Sequence, residues 1–577
     1  MFYQKFLFNT TENDGTHVAA TAVYSAATQY GFVPPSSPQE VNVFPGNGGW
    51  IANKKLTPDL QPQQHDNGVS LAKSHLPLCF GICVPEAGNY QIAVTIQAGA
   101  TALNSLNLYY GRRQLVREHL HIAAHQQLTI EFYAHVGSYY QAVGTAPISD
   151  NTMYISVLGL TSNATLSAIS IKEAAVPTLY LAGDSIVADN EAKLPYAGQS
   201  NGCGWGQMLA PYFDLAIDNQ AHNGMTTACF RDDGHWQLIE QALQPQDIVL
   251  FHFGHNDQKR RYLSAYGGFS TNLRRFIKDV RAKGATPILV TSLSRIPKQD
   301  ANGKYDLLAE YAQAELRLGQ ELDVPVIDLH QFSFEQLCTL QEKVDLTQYF
   351  NDAAHTNDYG AALAANWLVQ LITQQKIAPL ANYITAAPKP ITLQATLPTE
   401  KHFANEQPIS KQPVLGYSDT KFLPATIQKE LQVALRLHLI DPCVRYLHPY
   451  ADMPRGQFLY LLAAVAKPFV QNDYQGQYAD VYRYEWDAAY VQAAIDAQLI
   501  DPATISDDQI RLDDPLTGQE LLSFVVRNLQ PITQRQLSLR ACEKIATQLG
   551  LIWPNYSATA PVDRLTCLLT LVHATEI

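Results

Sequence analysis

Four short segments of this 577-residue chain carry residue types that together can cleave an ester. Gly183-Asp184-Ser185 closes an apolar run at 179–182. Asn219-Gln-Ala-His-Asn-Gly224, Gly254-His-Asn-Asp257 and Asp352-Ala-Ala-His355 then follow in that order. A serine hydroxyl is a poor nucleophile until a base takes its proton. His355 is the candidate base for Ser185, and Asp352 can fix its imidazole tautomer and stabilise the imidazolium. Their spacing lets the two side chains meet on one helical turn or tight loop. Acyl transfer also needs donors aimed at the developing oxyanion. The backbone N–H groups of Ser185 and Gly224 and the side-chain amide of Asn256 are the candidates, and a glycine at 224 lets backbone approach substrate with no Cβ in the way. Each segment alone is weak, since Gly-Asp-Ser is usually a turn and Asp-x-x-His often caps a helix. The specific signal is their order within one stretch of chain.

The elements that must position these residues are strands alternating with helices. Apolar strands are predicted at 179–182, 215–217, 247–253, 287–291 and 325–328, with helices between them at, for example, 270–283 and 306–322. Such alternation predicts a parallel sheet covered on both faces, whose sites form beyond the carboxyl ends of its strands. Ser185 and Asn256 fall just past two of those ends.

The chain is too long for one core, so several domains are expected. Residues 1–174 read as a β-sandwich of short alternating strands separated by turn clusters. Residues 175–385 form the α/β layer, 386–422 a Pro/Thr/Lys/Gln-rich linker, and 423–577 an all-α domain of three helical hairpins. The repeat shows in Leu439-Ile-Asp-Pro442, Leu499-Ile-Asp-Pro502 and Leu551-Ile-Trp-Pro554. Hydrophobic residues make up 46% and charged residues 16%, which describes a folded chain. The net charge of -13 argues against a nucleic-acid or anionic-membrane partner. Eight scattered cysteines without a Cys-x-x-Cys pair read as buried thiols. The N-terminus has no apolar stretch long enough for a signal peptide, and no segment is long enough to span a membrane. As written, the chain reads as cytoplasmic, or as extracellular if a leader has been removed.

The four segments resemble the blocks of SGNH (GDSL) hydrolases. His252-Phe-Gly-His-Asn-Asp257, Gly204-Trp-Gly-Gln-Met208 and His355-Thr-Asn-x-x-Gly-Ala361 are similar to rhamnogalacturonan acetylesterases within that superfamily. The resemblance implies a three-layer α/β/α, flavodoxin-like fold, no metal or other cofactor, and removal of O-acetyl groups from pectin-type sugars through a serine acyl-enzyme. By block position Ser185, His355 and Asp352 would be the triad, and Ser185, Gly224 and Asn256 the oxyanion donors. Where many members have Gly-Gly-Arg-Ser, this chain has Asn223-Gly-Met-Thr226, so the donor glycine is kept and an arginine is missing. The first 174 residues resemble the sandwich, galactose-binding-like, that precedes some acetylesterases of this type. The C-terminal hairpins look like degenerate S-layer homology units, with Arg455 and Glu520 surviving singly from their basic/acidic signature.

Other positions carry expectations too. Trp205, His255, Lys259 and Arg260 are candidate substrate contacts. The basic run 259–261 can attract a uronate carboxylate or simply start a solvated helix. His252 and His255 read as satisfied polar or substrate-side histidines rather than as metal ligands. The expected partner is an acetylated carbohydrate, with oligomer or cell-wall contact through the C-terminal repeats. Alternatives are an esterase for another acetylated glycan, such as exopolysaccharide, and a non-catalytic polysaccharide-binding scaffold.

Overall fold

The computed structural model describes residues 2–36, 48–52, 54–141, 146–149, 151–260, 263–300, 303–385, 418–437, 439–440, 447–466, 474–481, 488–500 and 507–577. The chain forms two compact units, one of residues 1–259 with 273–406 and one of 260–272 with 407–577.

The first unit begins with two five-stranded sheets. In one, strands Gln127–Val136, Gly88–Gln97, Ala168–Glu173, Tyr3–Leu7 and Thr16–His17 lie side by side. In the other the order is β2 (Gln114–Ile122), β1 (Leu103–Tyr110), Thr152–Gly159, Pro77–Cys83 and Tyr30–Phe32. The period-2 pattern that predicts them buries Tyr90, Ile92, Val94 and Ile96 along one face of a single strand. Aromatic rings close the space between the sheets, with Phe8 and Phe80 at 4.9 Å and Phe6 and Phe80 at 5.4 Å. Phe32 and Trp50 are buried and pack the core.

The third sheet is parallel throughout. Its strands are β3 (Thr178–Gly183), β4 (Ala216–Asn219), β5 (Ile248–His252), β6 (Thr286–Val290) and β7 (Val326–Ile327), in the spatial order β4-β3-β5-β6-β7. Every residue of β3 and β5 is buried, as expected of strands covered on both faces. The covering helices are α1 (Thr227–Asp232), α2 (His235–Ala242), α3 (Ser270–Ala282), α4 (Ala309–Leu322), α5 (Leu329–Leu340) and α6 (Asp358–Gln375). The chain runs from β3 to β4 on one side of it and then crosses back over β3 to β5 on the other, so the winding reverses at β3. A crevice therefore opens at its carboxyl end, where Ser185 sits.

The sequence separates 1–174 from 175–385, but both fall within the same compact unit and share a continuous apolar core. The reason is a close junction, in which β1 and β2 send buried side chains into the loops at the end of the parallel sheet. Of the predicted linker, residues 386–417 lie outside the described residues.

Among the described residues the second unit has the helices α7 (Ala425–Arg436), α8 (Arg455–Val465), α9 (Ala488–Asp496), α10 (Gly518–Leu529), α11 (Leu539–Gln548) and α12 (Arg564–Ala574), and those that pack on one another are α8 with α9, α10 with α11 and α12 with α7, not the pairs that the repeat predicts. The segments entering α8, α10 and α12 bond one another in a closed ring. Met453 N–H donates to Val562 O (3.0 Å), Val562 N–H to Leu516 O (2.9 Å) and Leu516 N–H to Met453 O (2.8 Å). Arg455 pairs with Glu520 at 2.8 Å, which joins the first turn of α8 to that of α10. Asp441, Pro442, Trp486, Asp501 and Pro502 lie outside the described residues. Among the described residues no helix is long and apolar enough to cross a membrane, and the seven described cysteines are free thiols.

Candidate functional site

The strand β3 ends at Gly183, and the chain turns at once. Val187 N–H and Ala188 N–H both donate to Asp184 O at 3.0 Å, and Asp184 Oδ1 accepts Ile186 N–H at 3.0 Å. This tight turn presents Ser185 at the strand end. Ser185 Oγ lies 2.9 Å from His355 Nε2, and His355 Nδ1 lies 2.7 Å from Asp352 Oδ2. A carboxylate can only accept, so Nδ1 carries the hydrogen and Nε2 is left with a lone pair facing the serine hydroxyl. Asp352 Oδ1 also accepts the N–H groups of Ala354 and His355, each at 2.8 Å. Burial alone would raise the Asp352 pKa. The hydrogen bond and charge of His355, with those two N–H donors, outweigh it and hold the carboxyl well below the usual range.

Two further loops complete a cleft of about 370 Å³ lined by Ser185, Asn190, Gly202, Cys203, Asn223, Gly224, Asn256, His355 and Thr356. Gly224 adopts φ +80°, and a Cβ there would meet no atom within 4 Å. The glycine answers a backbone requirement and not crowding. Asn256 Nδ2 donates to Met225 O at 3.1 Å, which ties the third segment to the second, while Lys259 Nζ donates to Asn256 Oδ1 at 3.1 Å. Asp257 reinforces the tie by accepting Thr227 N–H (2.9 Å), Thr227 Oγ1–H (2.6 Å) and Gly254 N–H (3.2 Å). Burial pushes the Asp257 carboxyl up to about 6 despite those donors. Asn219 joins the first segment to the second through Val187 O (2.8 Å) and Asp189 Oδ1 (2.7 Å).

The structure therefore brings Ser185, Asp352 and His355 together, and places Gly224 and Asn256 beside them. It does not bring Trp205 or His255 to the cleft, and the expectation that they meet substrate is corrected. Trp205 is fully buried, its ring 5.5 Å from that of His252. His255 is buried and donates from Nε2 to Leu293 O at 2.9 Å. His252 Nε2 accepts Leu293 N–H at 2.9 Å, and burial pushes its imidazole down to about 3, so it is a neutral core residue. Burial, followed by the nearby His252, likewise holds His255 well below its usual value. Among the described residues no cluster of ligating side chains is set to hold a metal ion. Lys259 is exposed and meets Asn256 instead of lining the cleft. Arg260 is half-buried and grouped with the second unit, and Arg261 lies outside the described residues. Asp257 and Thr227 gave no separate signal in the sequence, since their role appears only when two distant loops meet.

A match to the GDSL-like lipase/acylhydrolase family spans residues 181–363. YesY of Bacillus subtilis (strain 168), a probable rhamnogalacturonan acetylesterase, is 30% identical over 187 residues, 31% of this chain and 82% of that protein. The chain belongs to the GDSL-like lipase/acylhydrolase family. Two other Bacillus subtilis (strain 168) proteins are similar to this family member. The rhamnogalacturonan acetylesterase RhgT is 40% identical over 157 residues, covering 26% of this chain. The uncharacterized esterase YxiM is 30% identical over 244 residues, covering 40% of it. The chain spans 64% of the length of RhgT and 63% of that of YxiM.

Proposed function

We propose that this protein is a serine carbohydrate esterase that removes O-acetyl groups from rhamnogalacturonan-type saccharides. The observation that carries the reading is the relay from Ser185 Oγ through His355 Nε2 and Nδ1 to Asp352, opening on a cleft lined by Gly224 and Asn256. The names of the relatives supply the substrate class.

In this reading Ser185 Oγ attacks the acetyl carbonyl while His355 Nε2 takes its proton. The N–H groups of Ser185 and Gly224 and the amide of Asn256 stabilise the oxyanion. Collapse expels the sugar oxygen, which receives the proton from His355 and leaves as a free hydroxyl. Water then enters and attacks the acetyl-serine as the same nitrogen takes its proton, and collapse breaks the bond to Ser185 Oγ, which takes that proton back as acetic acid leaves and ionises to acetate.

Wild type and Ser185→Ala should be compared on a neutral aryl acetate and on acetylated rhamnogalacturonan oligosaccharides. The wild type is expected to release acetate from both and the variant from neither. Equal release by both proteins removes Ser185 from the chemistry. One feature favours a second glycan class. Among the described residues the cleft lining carries no ionisable side chain other than His355 and the Cys203 thiol, and Asn190, Asn223 and Thr356 suit the hydroxyls of neutral sugars. Acetate release from acetylated neutral glycans, assayed alongside, separates the two. The non-catalytic alternative predicts no release from any of them.

A further inference from the structure

The turn joining β1 to β2, in the N-terminal β layer, inserts three consecutive polar side chains into the loops around the cleft. Arg113 goes deepest and is completely buried. Its Nη1 pairs with Asp358 Oδ2 at 2.7 Å, and its Nη2 donates to Gly202 O at 3.0 Å. Its Nε donates to Asn190 O at 3.0 Å. Asn190 and Gly202 line the cleft, and Asp358 is the first residue of α6, three positions after His355. Gln207, also fully buried, accepts from Arg113 Nη2 at 3.3 Å and donates back to Arg112 O at 3.0 Å. The flanking residues hold Asp189, the residue before Asn190. Arg112 Nε and Gln114 Nε2 meet Asp189 Oδ2 at 3.1 and 3.2 Å.

These contacts converge on one group. Cys203, next to Gly202, accepts Thr356 Oγ1–H through its carbonyl at 2.7 Å and donates its N–H to Thr356 O at 3.1 Å. Thr356 follows His355. Arg113 thus holds the segment that carries the imidazole, through Asp358 at the head of the helix that follows it, and the segment bonded to it, through Gly202, whose neighbour pairs with Thr356. A guanidinium suits this task because its donors form a rigid planar fork that can serve several fixed acceptors at once. Arg113 adopts φ +63°, a left-handed backbone that an arginine seldom takes. A strained residue of this kind is kept where its surroundings fix it.

We infer that Arg113 is a positioning residue for His355, so that the β layer is a working part of the ester-cleaving site and not a detachable sugar-binding module. The inference rests on the esterase reading above. Removing the fork should let the 202–203 and 355–358 segments shift, and a misplacement of about 1 Å can cost on the order of 100-fold in rate.

The test uses the full chain and the variants Arg113→Met, Arg113→Lys and Asp358→Asn. Active serines are titrated to completion with a fluorophosphonate, and turnover of a neutral aryl acetate is expressed per titrated site. Arg113→Met should lose on the order of 10- to 100-fold in kcat per site with KM little changed. Arg113→Lys should recover part of that loss, and Asp358→Asn should fall between them. A purely structural role lowers the folded fraction but leaves turnover per titrated serine intact. Should Arg113→Met fail to fold, the other two variants decide, and wild-type turnover per site in both overturns the inference. A wild type that neither takes the probe at Ser185 nor releases acetate ends the esterase reading and this inference with it. An active wild type with unaffected variants ends this inference alone.

Discussion

Asp352 holds His355 from two sides, one carboxylate oxygen accepting the ring Nδ1–H at 2.7 Å and the other accepting the residue's own backbone N–H at 2.8 Å. The imidazole is fixed in tautomer and in position by a single acid, although both side chains are about half exposed. Asp352→Asn keeps the shape but offers an amide that can donate to Nδ1 and so favours the wrong tautomer. We expect kcat to fall on the order of 10⁴-fold with the fold unchanged. Steady-state kinetics beside a far-UV spectrum checks this, and a loss of less than tenfold would contradict the assigned role.

The oxyanion side can be probed separately. Asn256 is held by Met225 O and Lys259, so its remaining amide hydrogen has a fixed direction. Asn256→Ala should cost about 2.7–4 kcal/mol of transition-state stabilisation, seen in kcat more than in KM. Gly224→Ala meets open space but must hold φ +80°, so a stability loss of about 1 kcal/mol is expected from backbone strain. Urea unfolding of the two variants should show the second effect and little of the first.

Lys259 separates two roles for the basic run. Its ammonium donates to Asn256 Oδ1, which polarises the amide toward the cleft. Lys259→Met should therefore slow a neutral aryl acetate and an acetylated uronate by the same few-fold factor in kcat. A rise in KM confined to the uronate would assign Lys259 to substrate charge instead.

The central sheet was legible in the sequence because parallel strands buried on both faces read as unbroken apolar runs, and β3 and β5 are of that kind. The four segments were legible because their residue types are rare in combination and each closes a strand or opens a loop. Trp205 and His255 were read as cleft residues because an aromatic ring or an imidazole near a strand end suits either side of the loop. Only packing shows that both are buried. The Arg113–Asp358 pair was not legible at all. Its partners are 245 positions apart, and an arginine in a β-turn gives no local sign that it enters another layer. The C-terminal repeat showed helices through its spacing, but neither which of them pack together nor the backbone ring that joins their entry segments. Those hydrogen bonds belong to main-chain groups that every residue carries.

That buried pair supports a stability prediction independent of catalysis. Removing Arg113 leaves Asp358 buried, with the Tyr196 hydroxyl at Oδ2 but, among the described residues, no cation there. Arg113→Met should destabilise by about 3–5 kcal/mol, the usual cost of an uncompensated buried charge. Adding Asp358→Asn should return much of it, because the neutral amide no longer needs a counter-charge. Urea midpoints of the two single variants and the double variant give the coupling directly. Additive losses would mean that the two groups do not act as a pair.

Asp184 makes stability depend on pH in a direction opposite to that of ordinary paired carboxylates. It is fully buried. Its Oδ1 accepts Ile186 N–H, and among the described residues its Oδ2 has no partner. Burial pushes its carboxyl up to about 7, the Ile186 N–H only partly opposing this and nearby Asp257 adding to it. In the unfolded chain the same group loses its proton near about 3.9. Between those values the folded protein binds a proton that the unfolded chain has released. The contribution of Asp184 to stability is therefore whole below about pH 4 and is lost as pH rises to about 7. Other groups act in the same range. Asp257 has the same sign, and the buried neutral His252 the opposite one, since the unfolded chain takes up its proton first as pH falls. The difference between wild type and Asp184→Asn cancels both. The asparagine keeps the bond to Ile186 without an ionisable proton, so the variant should gain on wild type by up to about 4 kcal/mol as pH rises from 4 to 7. Urea midpoints at half-unit intervals across that range test it, and parallel curves would mean that Asp184 is already ionised in the folded protein at pH 4.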